Sequence, residues 1–201
     1  MDKEDLQIEW YHGDERKTDF INRNYFDVED YSRDRNAMGP GIYFTNDKGQ
    51  ASGYAGDQGY VYTVKVNLDP KRTLLDNTKP DIPKLKKFIA KCPDKELLLN
   101  YDYNIHRAPE VALKINVESS DTMLEAVSGL YNDLYQKDAV LFAKTMVDIG
   151  YDAFYHQVNP EHAPEAFHLI VYNPAIVQIL KEEKKGANEN LKHLIGYSLF
   201  S

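Results

Sequence analysis

Two tyrosines stand eleven positions apart in the segment GPGIYFTNDKGQASGYAG, Gly39 to Gly56: Tyr43 in a short apolar run and Tyr54 at the end of a helix-forming stretch. Phenol rings carried on a strand and on the helix that follows it can hold a flat aromatic ligand between them, with nearby glycines admitting it close to the backbone. Taken singly, each tyrosine is more often a core residue. His12-Gly13 closes the segment LQIEWYH and offers an imidazole to a hydroxyl, although a lone histidine at a strand end commonly bonds a backbone group. His156, His162 and His168, with Glu161 and Glu165 among them, carry metal-donor atoms, but six-residue spacing fits no common zinc pattern, and no metal is expected. Arg33 and Arg35 could fork onto a diphosphate. Asp30 and Asp34 lie beside them, and pairing in solvent is the preferred reading.

The elements that must position these groups follow from periodicity and punctuation. LQIEWYH reads as a strand ending at Gly13, and residues 14 to 38 as a short helix or a decorated loop. Ile42 to Thr45 is a strand, and Asn46 or Asp47 can cap the helix that runs on to about Tyr54-Ala55. GYVYTVKVN alternates as a strand should. Residues 70 to 118 are irregular, broken by Pro70, Pro80, Pro83, Pro93 and Pro109, with short helical patterns at Ile82 to Ala90 and Asp94 to Asn100. A longer helix is expected from Thr122 to Ile149, bent near Asn132 and stopped by Gly150. YDAFYHQ and FHLIVYN read as strands joined by the loop VNPEHAPEA, and PAIVQIL follows. KEEKKGANEN reads as a solvated charge run, and Leu191 to Phe200 as a short apolar segment that docks back on the body.

Strands, then helices, then strands again imply an α+β fold with antiparallel pairing. A doubly wound nucleotide-binding sheet is excluded, because Gly39 and Gly41 precede a strand, whereas dinucleotide-binding glycines follow one. At 201 residues and 23.2 kDa the chain suits one domain. No run approaches the roughly 18 apolar residues of a membrane span, and the first residues, MDKEDLQIEW, are charged, so no membrane association is expected. Cys92 is the single cysteine, which suits a reducing cytoplasm. A net charge of −8 argues against a nucleic-acid partner. Tyrosine is abundant, at 15 residues, and many of these phenols must line surfaces or clefts where a hydrogen-bond partner is available.

Three separated segments resemble, in order, the ADP-ribosyltransferases of the diphtheria-toxin and poly(ADP-ribose) polymerase type, whose signature is a His, a Tyr and a Glu on three strands. The first is Tyr11-His12-Gly13, and the second is the ungapped match of GPGIYFTNDKGQASGY to the family's G-x-G-I-Y-F … A-x-x-Y element. The third is HLIVYNPAIVQIL, His168 to Leu180, which is similar to the family's last catalytic strand. Small phage and mobile-element relatives share the cadence GYDAFYHQ … FHLIVYNP. The resemblance covers about two-thirds of the chain and implies split antiparallel β-sheets with flanking helices. The domain would span residues 1–180, with a helical insert at about 70–149 and a charged tail at 181–201.

The resemblance further implies that NAD is bound as a substrate. His12 would hold a ribose hydroxyl, Gly13 would bond the nicotinamide carboxamide through its backbone, and Tyr43 and Tyr54 would sandwich the ring. Asp14 would accept from the adenosine ribose. Ala51 stands where a carboxamide-binding serine is common, and His168 stands where the glutamate belongs. Glu165, and after it Glu161, are the acids nearest to replace that carboxylate. The activity implied is mono-ADP-ribosyl transfer to an unknown protein acceptor with release of nicotinamide, polymer elongation being tied in the family to the missing glutamate. The location implied is cytoplasmic, or the host cytoplasm for a phage-encoded effector. Two other readings remain: an NAD- or ADP-ribose-binding module without turnover, and an NAD-dependent enzyme of RNA.

Overall fold

The computed structural model describes residues 9–15, 17, 40–135, 138–158 and 165–186. The chain enters through strand β1 (Trp10–Asp14) and resumes with β2 (Ile42–Thr45). A short helix α1 (Lys48–Tyr54) follows at once, then β3 (Tyr60–Val66) and β4 (Thr73–Leu75). A helical layer comes next: α2 (Ile82–Ala90), a 3-10 turn at Lys95–Asn100, α3 (Ala108–Glu118), α4 (Met123–Leu134) and α5 (Ala139–Asp148). The chain closes with β5 (Ala153–Gln157), β6 (Phe167–Val171), a 3-10 turn at Pro174–Ile176 and β7 (Val177–Lys184). The chain is thus mixed helix and strand, in keeping with the α+β class.

All of these strands lie in one sheet, in the order β4-β5-β6-β2-β1-β3-β7. Every pairing is antiparallel except β4 with β5, which is parallel and departs from the wholly antiparallel expectation. Such a pairing needs a crossover, and α2 to α5 supply it. The sheet is continuous, yet it has a seam. β1 and β2 share a single register pair, Tyr11 with Thr45, whereas β1 keeps five with β3 and β2 keeps four with β6. Beyond Tyr11, β1 therefore diverges from β2 while remaining laddered to β3.

Several boundaries differ from expectation for identifiable reasons. β1 runs through Gly13 to Asp14, because its ladder with β3 continues to Val61 and Tyr60. The long helix is two helices: Tyr135 closes α4, and the Asp138 carboxylate accepts from Leu141 N at 2.9 Å to start α5. α3 lies in the stretch read as irregular. Pro109 sits in its first turn, where proline starts a helix rather than breaking one. β7 takes in Lys181–Lys184, the first part of the expected tail. Among the described residues it is an edge strand paired with β3 alone, and such a strand can carry charges into water.

The helical layer and one sheet face share a core in which Phe88, Phe142, Phe154, Ile170 and Leu74 are almost fully buried. The alternate residues Trp10, Ile42, Phe44, Tyr62, Val64 and Leu169 form a second cluster on the opposite face. One end of the β5-β6 pair is pinned by Asp152. Its carboxylate takes a forked bond from Arg72, at 2.5 and 2.8 Å, and a third from Asn173 Nδ2 at 2.9 Å. Its carbonyl accepts from Tyr172 N and Asn173 N, and its own N–H reaches Arg72 O. The polar residues lie at the other end.

Candidate functional site

α1 begins two residues after β2, because Asp47 accepts from Gly49 N and Gln50 N and so starts the helix. The helix lies against β1. A methyl group on Gly13 would sit 1.8 Å from Ala51 O and 2.9 Å from Ala55 N, so only glycine permits this approach. Ala51 and Ala55 are fully buried there, with Val61 of β3.

Gln50 turns the other way, across the seam. Its Oε1 accepts from Thr45 Oγ1 at 2.6 Å and lies 3.0 Å from His168 Nε2. An acceptor oxygen requires a proton on that nitrogen, so His168 is the Nε2–H tautomer. Burial lowers the His168 pKa, and His156 on the neighbouring strand lowers it further. The ring is therefore neutral at pH 7.

Tyr54 follows Gln50 by four residues and stands on the same helical stripe. It lies about 6 Å further along α1, while Tyr43 lies about 6.6 Å beyond Thr45 on the same face of β2. Because the turn reverses the chain, both displacements run in the same direction. Gly13 belongs to this level too: it lies two residues past Tyr11, the partner of Thr45, and touches the Ala51–Ala55 turn. Tyr43 is thus carried by β2 and Tyr54 by the last turn of α1, next to Gly13, which has no register partner on β2. Tyr43 is half-buried against the helical core, whereas Tyr54 is 50% exposed.

His12 points to the other face, with its ring 5.6 Å from Phe44 and 6.2 Å from Tyr62. Its Nδ1 reaches across the seam to Tyr43 O at 2.7 Å, so that nitrogen donates. The imidazole therefore bridges β1 and β2 where their ladder has ended. Burial pushes its pKa down, against the Tyr43 carbonyl and Asp14, which act in the opposite sense.

Of the residues expected at the site, Gly13 and Ala51 touch, Tyr43 and His168 share a sheet face, and Tyr54 lies exposed at the end of α1. His12 and Asp14 belong to the same strand as Gly13 but alternate away from that face. Glu165 lies in a turn before β6 and is exposed; its carbonyl accepts from Asn46 Nδ2 at 2.6 Å, and Asn46 Oδ1 accepts from Phe167 N at 2.9 Å. That clamp holds the loop end against the β2-α1 turn. The Glu165 carboxylate has no hydrogen bond or ion pair with the described residues. Glu161, His162, Arg33, Arg35 and Gly39 lie outside the described residues.

Reading the sequence missed Gln50, Thr45 and Asn46. The signal available for Gln50 was its four-residue offset from Tyr54; that for Asn46 was its place in the strand-helix turn. A shallow hollow lined by Lys87, Ala90, Lys91, Asp148 and Ile149 lies elsewhere, on α2 and α5. No family model, curated protein or solved structure matches this chain.

Proposed function

We propose that the chain is a mono-ADP-ribosyltransferase that cleaves NAD and passes ADP-ribose to a protein acceptor. The observation that carries this reading is the close packing of α1 on Gly13 beside the seam where β1 and β2 share one register pair, with Tyr43 on β2 and Tyr54 in the last turn of α1. In this reading a pyridinium ring lies between the two phenols, because aromatic faces attract a flat cation, and backbone groups at Gly13 bond the carboxamide. Breaking the glycosidic bond leaves a sugar cation, so the remaining groups must orient the ribose and tolerate positive charge. His168 lies on the same face as Tyr43, and its neutral form adds no charge to oppose that cation. Glu165, held beside the β2-α1 turn, is the closest carboxylate on the β5-β6 loop among the described residues, and in this reading it faces the cation when substrate binds.

A second reading, an NAD- or ADP-ribose-binding module without turnover, is favoured by one specific feature. His168 is committed to Gln50, and among the described residues no carboxylate hydrogen-bonds to either. Incubation with etheno-NAD separates the two. Nicotinamide release that is abolished in Glu165→Ala supports the transferase, and binding without release supports the module. If Tyr43→Ala and Tyr54→Ala bind the dinucleotide as tightly as wild type, both readings fail.

A further inference from the structure

The spacing of His156 and His168 along the chain shows no metal pattern, but the register of β5 with β6 sets them directly opposite each other, with their rings 6.5 Å apart. The Nδ1 of His156 is 2.6 Å from Asp76 Oδ1, and the other Asp76 oxygen accepts from Gln157 N at 3.0 Å. A carboxylate oxygen only accepts, which places the proton of a neutral His156 on Nδ1 and the lone pair on Nε2. In His168 the roles are exchanged. Thr45 Oγ1 already accepts from Asp47 N and gives its own proton to Gln50 Oε1; the same oxygen then takes the Nε2 proton of His168, leaving the lone pair on Nδ1. Neither lone pair has a hydrogen bond to the described residues. The strand order shows where they point. Asp76 follows β4, on the far side of β5, and Gln50 stands on α1 beyond β2, on the far side of β6. The two nitrogens of an imidazole leave the ring in nearly opposite directions, so with each outer nitrogen bonded outward, both lone pairs turn into the gap between the two rings.

We infer that His156 Nε2 and His168 Nδ1 together bind one divalent transition-metal ion, copper in preference to zinc, and that Asp76 and Gln50 orient the two ligands. Histidines that hold a metal commonly donate their other ring N–H to a carboxylate or another fixed acceptor, which sets the tautomer and the ring plane. Both rings here are held in that way before any ion arrives. The separation also suits. An ion about 2.0–2.1 Å from an imidazole nitrogen lies about 3.2 Å from the ring centre, and half of the 6.5 Å between the rings is close to that distance. A bent arrangement would draw the rings together by about 1 Å. Two neutral nitrogens favour ions that take imidazole, with copper(II) above zinc(II), over magnesium or calcium, which need oxygen. Two protein ligands leave the remaining positions to water or to an anionic ligand. Entry is open, since the His156 side chain is 29% exposed while Phe154, two residues earlier, is fully buried. None of this depends on Tyr43 and Tyr54 holding a nicotinamide ring.

The test is calorimetric titration of chelator-treated protein with copper(II) and, separately, zinc(II) at pH 7. The expected result is one ion per chain at this site, bound more tightly as copper than as zinc. Losing either ligand turns a two-point site into a one-point site, so His156→Ala and His168→Ala should each weaken copper binding by about a hundredfold or more. Asp76→Ala keeps both ligands and should still weaken it about tenfold to a hundredfold, a loss that chance binding to an exposed histidine would not show. His106 is exposed and away from the pair, and His106→Ala should leave the affinity unchanged. If an alanine variant loses its folded circular dichroism spectrum, pulsed EPR of the wild-type copper complex decides, with two coordinated imidazoles expected. Wild type that binds neither ion, equal copper affinity in a folded His156→Ala variant, or an EPR spectrum with fewer than two imidazoles overturns the site and leaves the nicotinamide clamp untouched.

Discussion

Replacing His168 with glutamate tests the electrostatic reasoning directly. The substitution puts a carboxylate where the structure has a neutral ring, on the face that carries Tyr43 and opposite Thr45 in the β2-β6 register. A unit negative charge about 4 Å from a developing sugar cation contributes about 4 kcal/mol at an effective dielectric of about 20. That corresponds to nearly three powers of ten in rate. Two local costs reduce the gain. Gln50 Oε1 now accepts from both Thr45 and His168, and a carboxylate cannot donate, so the Gln50 amide must turn over. Thr45 Oγ1, which already accepts from Asp47 N at 3.1 Å, then loses its acceptor, at a cost of about 1 kcal/mol. Desolvating the new charge at this half-buried position takes a further share. The expected outcome of His168→Glu is a rise in nicotinamide release of between ten- and a thousandfold, with NAD affinity held within about threefold, read from etheno-NAD fluorescence and calorimetry. Unchanged or slower release by a folded variant that still binds NAD would refute the placement of the cation beside β6.

Four other outcomes follow from the same geometry. Tyr54→Ala removes an exposed ring, so the melting temperature should hold while Kd for NAD rises about tenfold or more, since a stacked ring is worth about 1–3 kcal/mol. Gly13→Ala sets a methyl group against Ala51 O and should cost at least about 3 kcal/mol in urea denaturation, because neither backbone can yield. Asp152→Asn should lower stability at pH 7 by about 2 kcal/mol, the Arg72 side being partly solvated. Arg72 holds the Asp152 pKa below the ordinary value, so that contribution is present above about pH 4 and fades as pH falls through the folded-state value; denaturation at pH 7 and pH 3 should show the wild-type advantage shrink. Burial lowers the pKa of both His12 and His168, so the unfolded chain binds more protons than the folded one just below about pH 6.5. Stability should decline as pH falls through that window, and imidazole NMR resonances of both residues should titrate below it.

How much of this was legible beforehand depended on whether local chemistry or distant pairing decided the outcome. Asp47 and the run Ile42 to Thr45 announce a strand, a cap and a helix within thirteen residues, and those elements formed as read. Ile82–Ala90 likewise matched its expected bounds. Pro109 misled because a proline in a first turn and a proline that breaks a helix look alike until the helix is seen. β4 is three residues long and owes its existence to β5, about eighty positions away, so no local pattern could announce it. The site divides in the same manner. Tyr43, Tyr54 and Gly13 were visible as types at a spacing. The Gln50–His168 bond and the Asp76–His156 pair join residues 118 and 80 positions apart, and they exist only because β6 returns between β2 and β5.

That return also separates stability from chemistry along the strands themselves. At one end of β5 and β6, Asp152 binds Arg72, Asn173 and two backbone N–H groups, with the aromatic core of Phe142 and Phe154 alongside. At the other end of the same two strands, His156 and His168 lie beyond that core, and the polar row continues through Gln50 and Thr45 to the seam. A five-residue strand spans only about 17 Å, so the pinned end limits how far the polar end can drift while leaving its groups open to water. Substitutions around Asp152 should therefore lower stability with little change in NAD affinity. Substitutions in the row from Asp76 to Gln50 should instead change the rate of nicotinamide release with little change in stability, and a variant of Asp152 that lost NAD binding while remaining folded would show that the two ends are not independent.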